Sequence, residues 1–278
     1  MEQDLSGRRV VISGANSGLG FVTARELARM GASVTLVCRS QGKGEIAQGQ
    51  IKEATGRDTS LELADFASLQ SVRELAERLG AIDVLVNNAG MMQTRRMLSA
   101  DGHELMFAVN HLAPFLLTHL LLPKLEGRAR VVNVASRAHR RGKLDLDDLD
   151  FSKRRFDGMA VYSTSKLCNM LFNLELARRL EEEDSAITSN CLHPGVIATG
   201  FGRDNSGLWR LILGLVRPLM TSVDQGAETQ IWLASSPDVQ GVTGEYFVDC
   251  KITAPTKQAR DPLLARALWD KSAELVGI

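Results

Sequence analysis

The sequence predicts an α/β fold: a doubly wound parallel sheet of the Rossmann type, in three α/β/α layers, carried by a single domain over residues 1–278. Three observations predict it. Short β-branched runs alternate with longer helical patterns along the whole chain. Each run is almost continuously apolar, as a strand must be when helices cover both faces of its sheet. A glycine-rich turn directly follows the first run, the place where such sheets hold phosphate groups. No internal repeat, low-complexity tract or Gly/Pro-rich linker divides the chain.

The strands expected are VVIS (10–13), SVTLVC (33–38), DVLVNN (83–88), RVVNVAS (130–136), ITSNCLH (187–193) and GEYFV (244–248). Helical patterns fall near 18–30, 68–79, 102–125, 159–183, 223–235 and 262–275. Two segments break the rhythm, the charged stretch 139–158 (HRRGKLDLDDLDFSKRRFDG) and the stretch 200–221 around SGLWRLILGLVRPLM. Both follow the C-terminal ends of strands, where open α/β sheets build their ligand sites.

Composition narrows the function. The chain has 33 Lys plus Arg against 33 Asp plus Glu, so there is no electrostatic case for nucleic acid as a partner. Cys38, Cys168, Cys191 and Cys250 form no CxxC pair and read as reduced thiols of an intracellular protein. The opening MEQDLSGRRVVISG has no apolar run before the first strand, so neither a signal peptide nor an anchor helix is expected and the location expected is cytoplasmic. The run LMFAVNHLAPFLLTHLLL is interrupted by Asn110, His111, Pro114 and His119, which argues against a membrane span. Those two histidines lie eight apart with no Cys or carboxylate to complete a ligand set, so no metal site is expected. The basic clusters at 94–97 and 137–143 read as solvated faces.

Three motifs carry chemistry. In SGANSGLG, Gly14, Gly18 and Gly20 give the spacing GxxxGxG. Glycine permits positive φ and close approach of backbone to a pyrophosphate, and the helix that follows offers unpaired N–H groups. The candidate cradle is therefore Gly14, Asn16, Ser17, Gly18, Leu19 and Gly20. At the end of the second strand, VTLVCRSQGKG places Arg39 where NAD-binding units usually carry an acid, with Lys43 behind it. A carboxylate there would repel a ribose 2′-phosphate and a guanidinium can grip it, so the cofactor expected is NADP(H). In YSTSK, Tyr162 and Lys166 stand four apart and share a helix face, placing a phenol beside an ammonium.

With NNAG (87–90), Asn110, Ser136 and HPGVIAT (193–199) in order after the glycine turn, the chain resembles the short-chain dehydrogenase/reductase superfamily from end to end. GANSGLG, VCRS, ADGHELMFAVNHLAPFLLTHLLLPKL, VVNVASRAH, YSTSKLCNMLF and YFVDCKITAPTKQARDPLLARALWD point to its retinol dehydrogenase-like branch. The resemblance implies Tyr162 as general acid in carbonyl reduction and base in alcohol oxidation. Lys166 would activate it and hold the nicotinamide ribose, Ser136 would polarise the substrate oxygen, and Asn110 would position a water relay. It also implies that Asp65 contacts adenine, that Asn88, Ala89 and Gly90 pack along the adenosine ribose, and that Val196 and Thr199 clasp the nicotinamide carboxamide. The 26-residue gap from Ser136 to Tyr162 is long for the superfamily, and the branch accounts for it with an insertion at 139–158.

The expected reaction is hydride transfer between nicotinamide and a carbonyl or alcohol carbon of a small hydrophobic substrate, retinal-like or another apolar aldehyde or ketone. The alternatives are a reductase of steroid, quinone, tetrapyrrole-precursor or xenobiotic carbonyls, and a non-catalytic NADP-binding sensor. Leu208, Trp209, Leu211, Ile212, Leu215, Val216 and Leu219 recur at helical spacing, which fits a helix capping the core or a substrate lid able to touch a membrane surface. A monomer or homodimer is expected, because the charged insertion precedes the helix through which many relatives pair.

Overall fold

The computed structural model describes residues 3–195 and 222–278. Eight strands form one sheet: β1 (Arg9–Ser13), β2 (Ser33–Cys38), β3 (Ser60–Leu63), β4 (Ile82–Asn87), β5 (Leu125–Val134), β6 (Thr188–His193), β7 (Tyr246–Val248) and β8 (Lys251–Ile252). Their order is β3-β2-β1-β4-β5-β6-β7-β8, parallel throughout except for the antiparallel pairing of β7 with β8. The chain winds outward from β1 to β3, then returns to place β4 on the other side of β1. That reversal opens a crevice at the C-terminal ends of β1 and β4, where ligands of such sheets bind.

Helices cover both faces. On one lie α1 (Gly18–Arg29), α2 (Gln41–Thr55) and α7 (Val223–Ser235); on the other lie α3 (Leu69–Arg78), α5 (Ala113–Leu121), α6 (Gly158–Glu182) and α8 (Pro262–Val276). Alternate residues of one strand feed separate cores: Val10 and Ile12 join Leu27, Leu36 and Ile51, whereas Val11 joins Leu85, Phe115, Phe172 and Trp269. This double burial is why the strands read as continuously apolar rather than alternating.

The structure adds three elements to those expected, each with a physical reason. Strand β3 (SLEL) is short and half polar, and β8 is two exposed residues at an edge. Helix α2 carries Gly42, Gly44 and Gly49, which depress helix propensity. It is held by burying Gly44, Ala47 and Ile51 on one face, and Gly56 closes it at φ 71°. The helix expected over 102–125 begins later and is not uniform. A single turn, α4 (Leu105–Phe107), leads into a π-helical turn, Ala108–Leu112, and then into α5. A π turn adds a residue per turn and frequently marks a functional position; this one contains Asn110. By length and mean hydropathy (1.6) the Leu105–Lys124 span could cross a membrane, but 78% of its most apolar stretch is buried inside the fold.

A polar seam crosses this apolar interior. Asn133 accepts from Asn87 Nδ2 at 2.9 Å and donates to Asn173 Oδ1 and Ser189 Oγ, each at 3.1 Å. It joins β4, β5, β6 and α6 through one side chain. Leaving several buried groups unpaired at once costs more than one ordinary hydrogen bond. Asn133→Ala should therefore lower unfolding stability by about 2–3 kcal/mol in urea titration; a loss within about 0.5 kcal/mol, the level of an ordinary surface substitution, would show the seam contributes little.

Candidate active site

The crevice is built from the glycine turn and the end of β4. Gly14 and Gly18 take φ of 67° and 58°, values that side chains with a Cβ rarely adopt. Gly20 is required for space: a Cβ there would lie 2.5 Å from Asn88 Nδ2 and 2.6 Å from Gly14 O. Asn16, Ser17 and Leu19 fill the turn and the start of α1, and the N-cap Ser17 makes no side-chain cap bond, so the N–H groups opening α1 stay available to an anion.

Asn88 is a strap across the crevice. Its Nδ2 donates to Ser13 O at 2.7 Å, while the Asn88 and Ala89 N–H groups both donate to Ser13 Oγ at 3.0 Å. Ser13, which no motif singled out, ties the phosphate turn to the NNAG segment.

Arg39 stands exposed directly after β2, and Lys43 is exposed in the first turn of α2. Among the described residues neither makes an ion pair, so both cations face solvent at the same end of the sheet. Asp65, just past β3, is half-buried; its Oδ1 accepts from Ala67 N and its own N–H donates to Ser71 Oγ, both at 3.0 Å. Val196, Thr199 and the 200–221 segment lie outside the described residues.

Further along the same sheet edge, four expected residues converge. Asp157 caps α6, its Oδ1 accepting from Met159 N at 2.9 Å and Ala160 N at 3.3 Å. This start places Tyr162 and Lys166 on one face, with Lys166 Nζ 5.8 Å from the phenol ring centre. Ser136, at the exit of β5, hydrogen-bonds the Tyr162 side chain, and its Oγ also accepts from Ala138 N at 3.1 Å. Burial raises the Tyr162 pKa, and the Ser136 bond opposes that rise. Gly90 completes the floor: a Cβ there would meet Lys166 Nζ at 3.3 Å and Asn110 Oδ1 at 3.4 Å.

Asn110 is fully engaged through its side chain. Its Oδ1 accepts from Met91 N at 2.8 Å, and its Nδ2 donates to Met91 O and to Ser165 Oγ, each at 3.0 Å. Ser165 Oγ in turn donates to Tyr162 O at 2.8 Å. The amide is therefore a strap between the π turn, the segment after NNAG and the first turns of α6. Ser165 lay in plain view inside YSTSK, but its partner is 55 residues away.

The insertion packs against the entrance. Asp150 Oδ1 accepts from Glu104 N at 2.9 Å, and Arg96 Nε donates to Asp150 O at 3.1 Å. Phe151 and Val161 bury beside Met106, and Met91, Met92, Phe156 and Tyr162 pack around them. The surroundings of Tyr162 on this side are apolar and rich in deformable methionine.

Among the described residues no group of three or more metal-ligating side chains comes together. His111 is used by the core, 2.8 Å from Ser272 Oγ and stacked on Phe107. All four cysteines are free.

Lys166 is 3% exposed, pairs with no carboxylate among the described residues and donates to Val134 O at 2.9 Å. Burial pulls its pKa down from 10.5 to about 8. Between those values the folded protein binds fewer protons than the unfolded chain, so this group makes stability rise with pH, and its cost is fully present below about 8. Lys166→Met should therefore raise the Tm of the cofactor-free protein at pH 7 by a few degrees, about 1–3 kcal/mol, with the gain shrinking toward pH 10. A lowered Tm at pH 7 in scanning calorimetry would contradict the assignment of Lys166 as a buried, uncompensated cation.

A family model described as short chain dehydrogenase matches residues 8–207. Retinol dehydrogenase 14 of Homo sapiens is 42% identical over 303 residues, covering 99% of this chain and 88% of that protein. The crystal structure of an uncharacterized protein from Mycobacterium Paratuberculosis shares 36% identity and a TM-score of 0.83 over 99% of this chain and 95% of its own. That of a blue fluorescent protein from a metagenomic library, in complex with NADPH, shares 26% identity and a TM-score of 0.69 over 88% of this chain and 97% of its own. With the sheet order, the glycine turn and the Ser136–Tyr162–Lys166 cluster in place, the chain belongs to the short-chain dehydrogenase family of oxidoreductases, in its retinol dehydrogenase-like branch.

Proposed function

We propose that the chain is an NADP(H)-dependent oxidoreductase that interconverts the carbonyl and alcohol forms of a small hydrophobic molecule, a retinal-like or other apolar aldehyde or ketone. The observation that carries this reading is the contact of Tyr162 with Ser136 above a buried Lys166, beside an apolar wall. The name of the 42% identical relative, a retinol dehydrogenase, supports the substrate class. Exposed Arg39 and Lys43, with the NADPH complex of the metagenomic neighbour, support the 2′-phosphorylated cofactor.

The residues fit that cofactor. Gly14, Gly18, Gly20 and the open N-terminus of α1 would hold the pyrophosphate, Arg39 and Lys43 the 2′-phosphate, Asp65 and Asn88 to Gly90 the adenosine, and Lys166 the nicotinamide ribose. Val196 and Thr199 are proposed for the carboxamide from their place after HPG. Bound there, the nicotinamide supplies hydride to a carbonyl carbon or accepts it from an alcohol carbon.

The chain's own groups manage the proton. One lone pair of Ser136 Oγ is taken by Ala138 N–H, and the single hydroxyl hydrogen, which meets Tyr162, would turn to the substrate oxygen when substrate binds. In reduction, Tyr162 gives its phenolic proton to that oxygen as negative charge develops there. In oxidation, the phenolate takes the proton from the alcohol. Lys166, protonated at neutral pH, supplies a positive charge that favours phenolate in a site screened from water. Met91, Met92 and Phe156 line the approach with apolar surface, which suits an apolar substrate and keeps water from the reacting oxygen.

Tyr162→Phe should keep NADPH affinity while kcat falls by about 10²–10⁴; turnover at the parent rate would remove Tyr162 from the mechanism. The pH dependence follows from the proton's direction. Oxidation should accelerate with rising pH as Tyr162 ionises, and reduction should slow over the same range; parallel profiles in the two directions would contradict the assignment. Arg39→Asp should raise the KM for NADPH by about tenfold or more, the loss of a charge-assisted phosphate contact, and improve use of NADH. Unchanged kinetics with both cofactors would reject Arg39 as the discriminating residue.

A further inference from the structure

The turn that carries Ser136 runs on into a 3-10 helix, Arg137–Arg141, which buries one side chain, that of His139, at 1% exposure. Its backbone N–H donates to Ser136 O at 3.1 Å, and its ring Nδ1 lies 2.7 Å from the same oxygen. A carbonyl only accepts, so Nδ1 carries the proton of that bond. Burial holds the imidazole below its ordinary pKa against the opposing pull of its bond to Ser136 O, so the ring is neutral and Nε2 is an acceptor without a partner among the described residues. The ring also meets Tyr246 edge to face, with centres 5.3 Å apart and planes at 79°. Tyr246 begins β7, two strands away from β5 in the sheet. One imidazole therefore pins the Ser136 carbonyl and braces its turn against the strand on the far side of β6.

We propose that His139 is a positioning residue: its Nδ1–H bond to the Ser136 carbonyl, with the ring wedged on Tyr246, fixes the backbone from which the Ser136 hydroxyl reaches Tyr162 and the substrate oxygen. The inference rests on the assignment of Ser136 made above. Ser136 Oγ is already tied on one side by Ala138 N–H, and its carbonyl accepts twice from His139. The backbone and one side of the hydroxyl are thus fixed. Losing the ring bond would leave the carbonyl held by the backbone N–H of residue 139 alone and let the turn shift. A displacement of an ångström at a group that orients substrate is enough to cost catalysis without weakening cofactor binding.

The two ring nitrogens permit a discriminating test. Asn at position 139 places an amide N–H where Nδ1–H stands, Gln places one where Nε2 stands, and Leu offers neither. Ser136→Ala, His139→Asn, His139→Gln and His139→Leu would be compared for NADPH-dependent reduction of a long-chain aldehyde, NADPH affinity by fluorescence, and Tm. His139→Asn should keep kcat within about threefold of the parent, whereas the Gln and Leu variants should lose about 10- to 100-fold with NADPH affinity unchanged. Equal kcat in the Asn and Gln variants would overturn the proposal, as would losses that follow Tm across all three. Parent-like activity in Ser136→Ala would instead overturn the assignment of Ser136 and the inference with it. A collapse in Ser136→Ala without the Asn/Gln distinction leaves that assignment standing and rejects His139 alone. Should the Leu variant fail to fold, the Asn and Gln pair decides.

Discussion

A cation buried without a carboxylate is the constraint around which the site is organised. Lys166 reaches from α6 to the end of β5, where Val134 O receives it at 2.9 Å, and no acid among the described residues offsets its charge. Such a group is costly, because burial disfavours its charged form. An acid beside it would remove the cost and also remove the field that Tyr162 would feel on the proposed assignment. The fold keeps the charge uncompensated, and the surrounding sheet and helices hold it in place.

That retention depends on straps more than on the apolar cores. Ser13 accepts from two successive N–H groups of the NNAG segment, so β1 and β4 present their ends in a fixed relation. Asn110 and Ser165 tie the π turn to α6 one residue before Lys166. The Asn87, Asn133 and Asn173 seam holds β4, β5 and α6 together directly below. Apart from Asn87 Oδ1, which is buried without a partner among the described residues, the strap groups are hydrogen-bonded, and buried polar groups with partners specify one arrangement where apolar contacts tolerate several. The cores bring the elements together; the straps set their register at the crevice.

The sequence was legible where chemistry is local. Gly14, Gly18 and Gly20 announce a turn because positive φ and close approach demand glycine, and Tyr162 and Lys166 share a face because a helix places residues four apart together. The resemblance that located Ser136, Asn110 and Asp65 also pointed to the family, and the matches agree with it. What could not be read depends on tertiary partners. Ser13, Ser165 and His139 are ordinary residues until Asn88, Asn110 and Tyr246 stand beside them. Helix α2 was hidden by three glycines, β3 and β8 by their shortness and polarity, and the π turn by a periodicity that does not register one added residue.

On the proposed assignment the field of Lys166 prepares Tyr162 for proton transfer, and that effect can be read on the phenol itself. The chain has 2 tyrosines, and burial raises both phenols, so a Tyr246→Phe background assigns the signal to Tyr162. Ultraviolet titration of the protein saturated with NADP⁺, in the parent and in Lys166→Met, reports that ionisation directly. A phenolate signal is expected in the parent below the ordinary phenol value of about 10, with a clear move to higher pH in the Met variant. Identical curves for the two proteins, with no phenolate below about 10, would contradict the assignment.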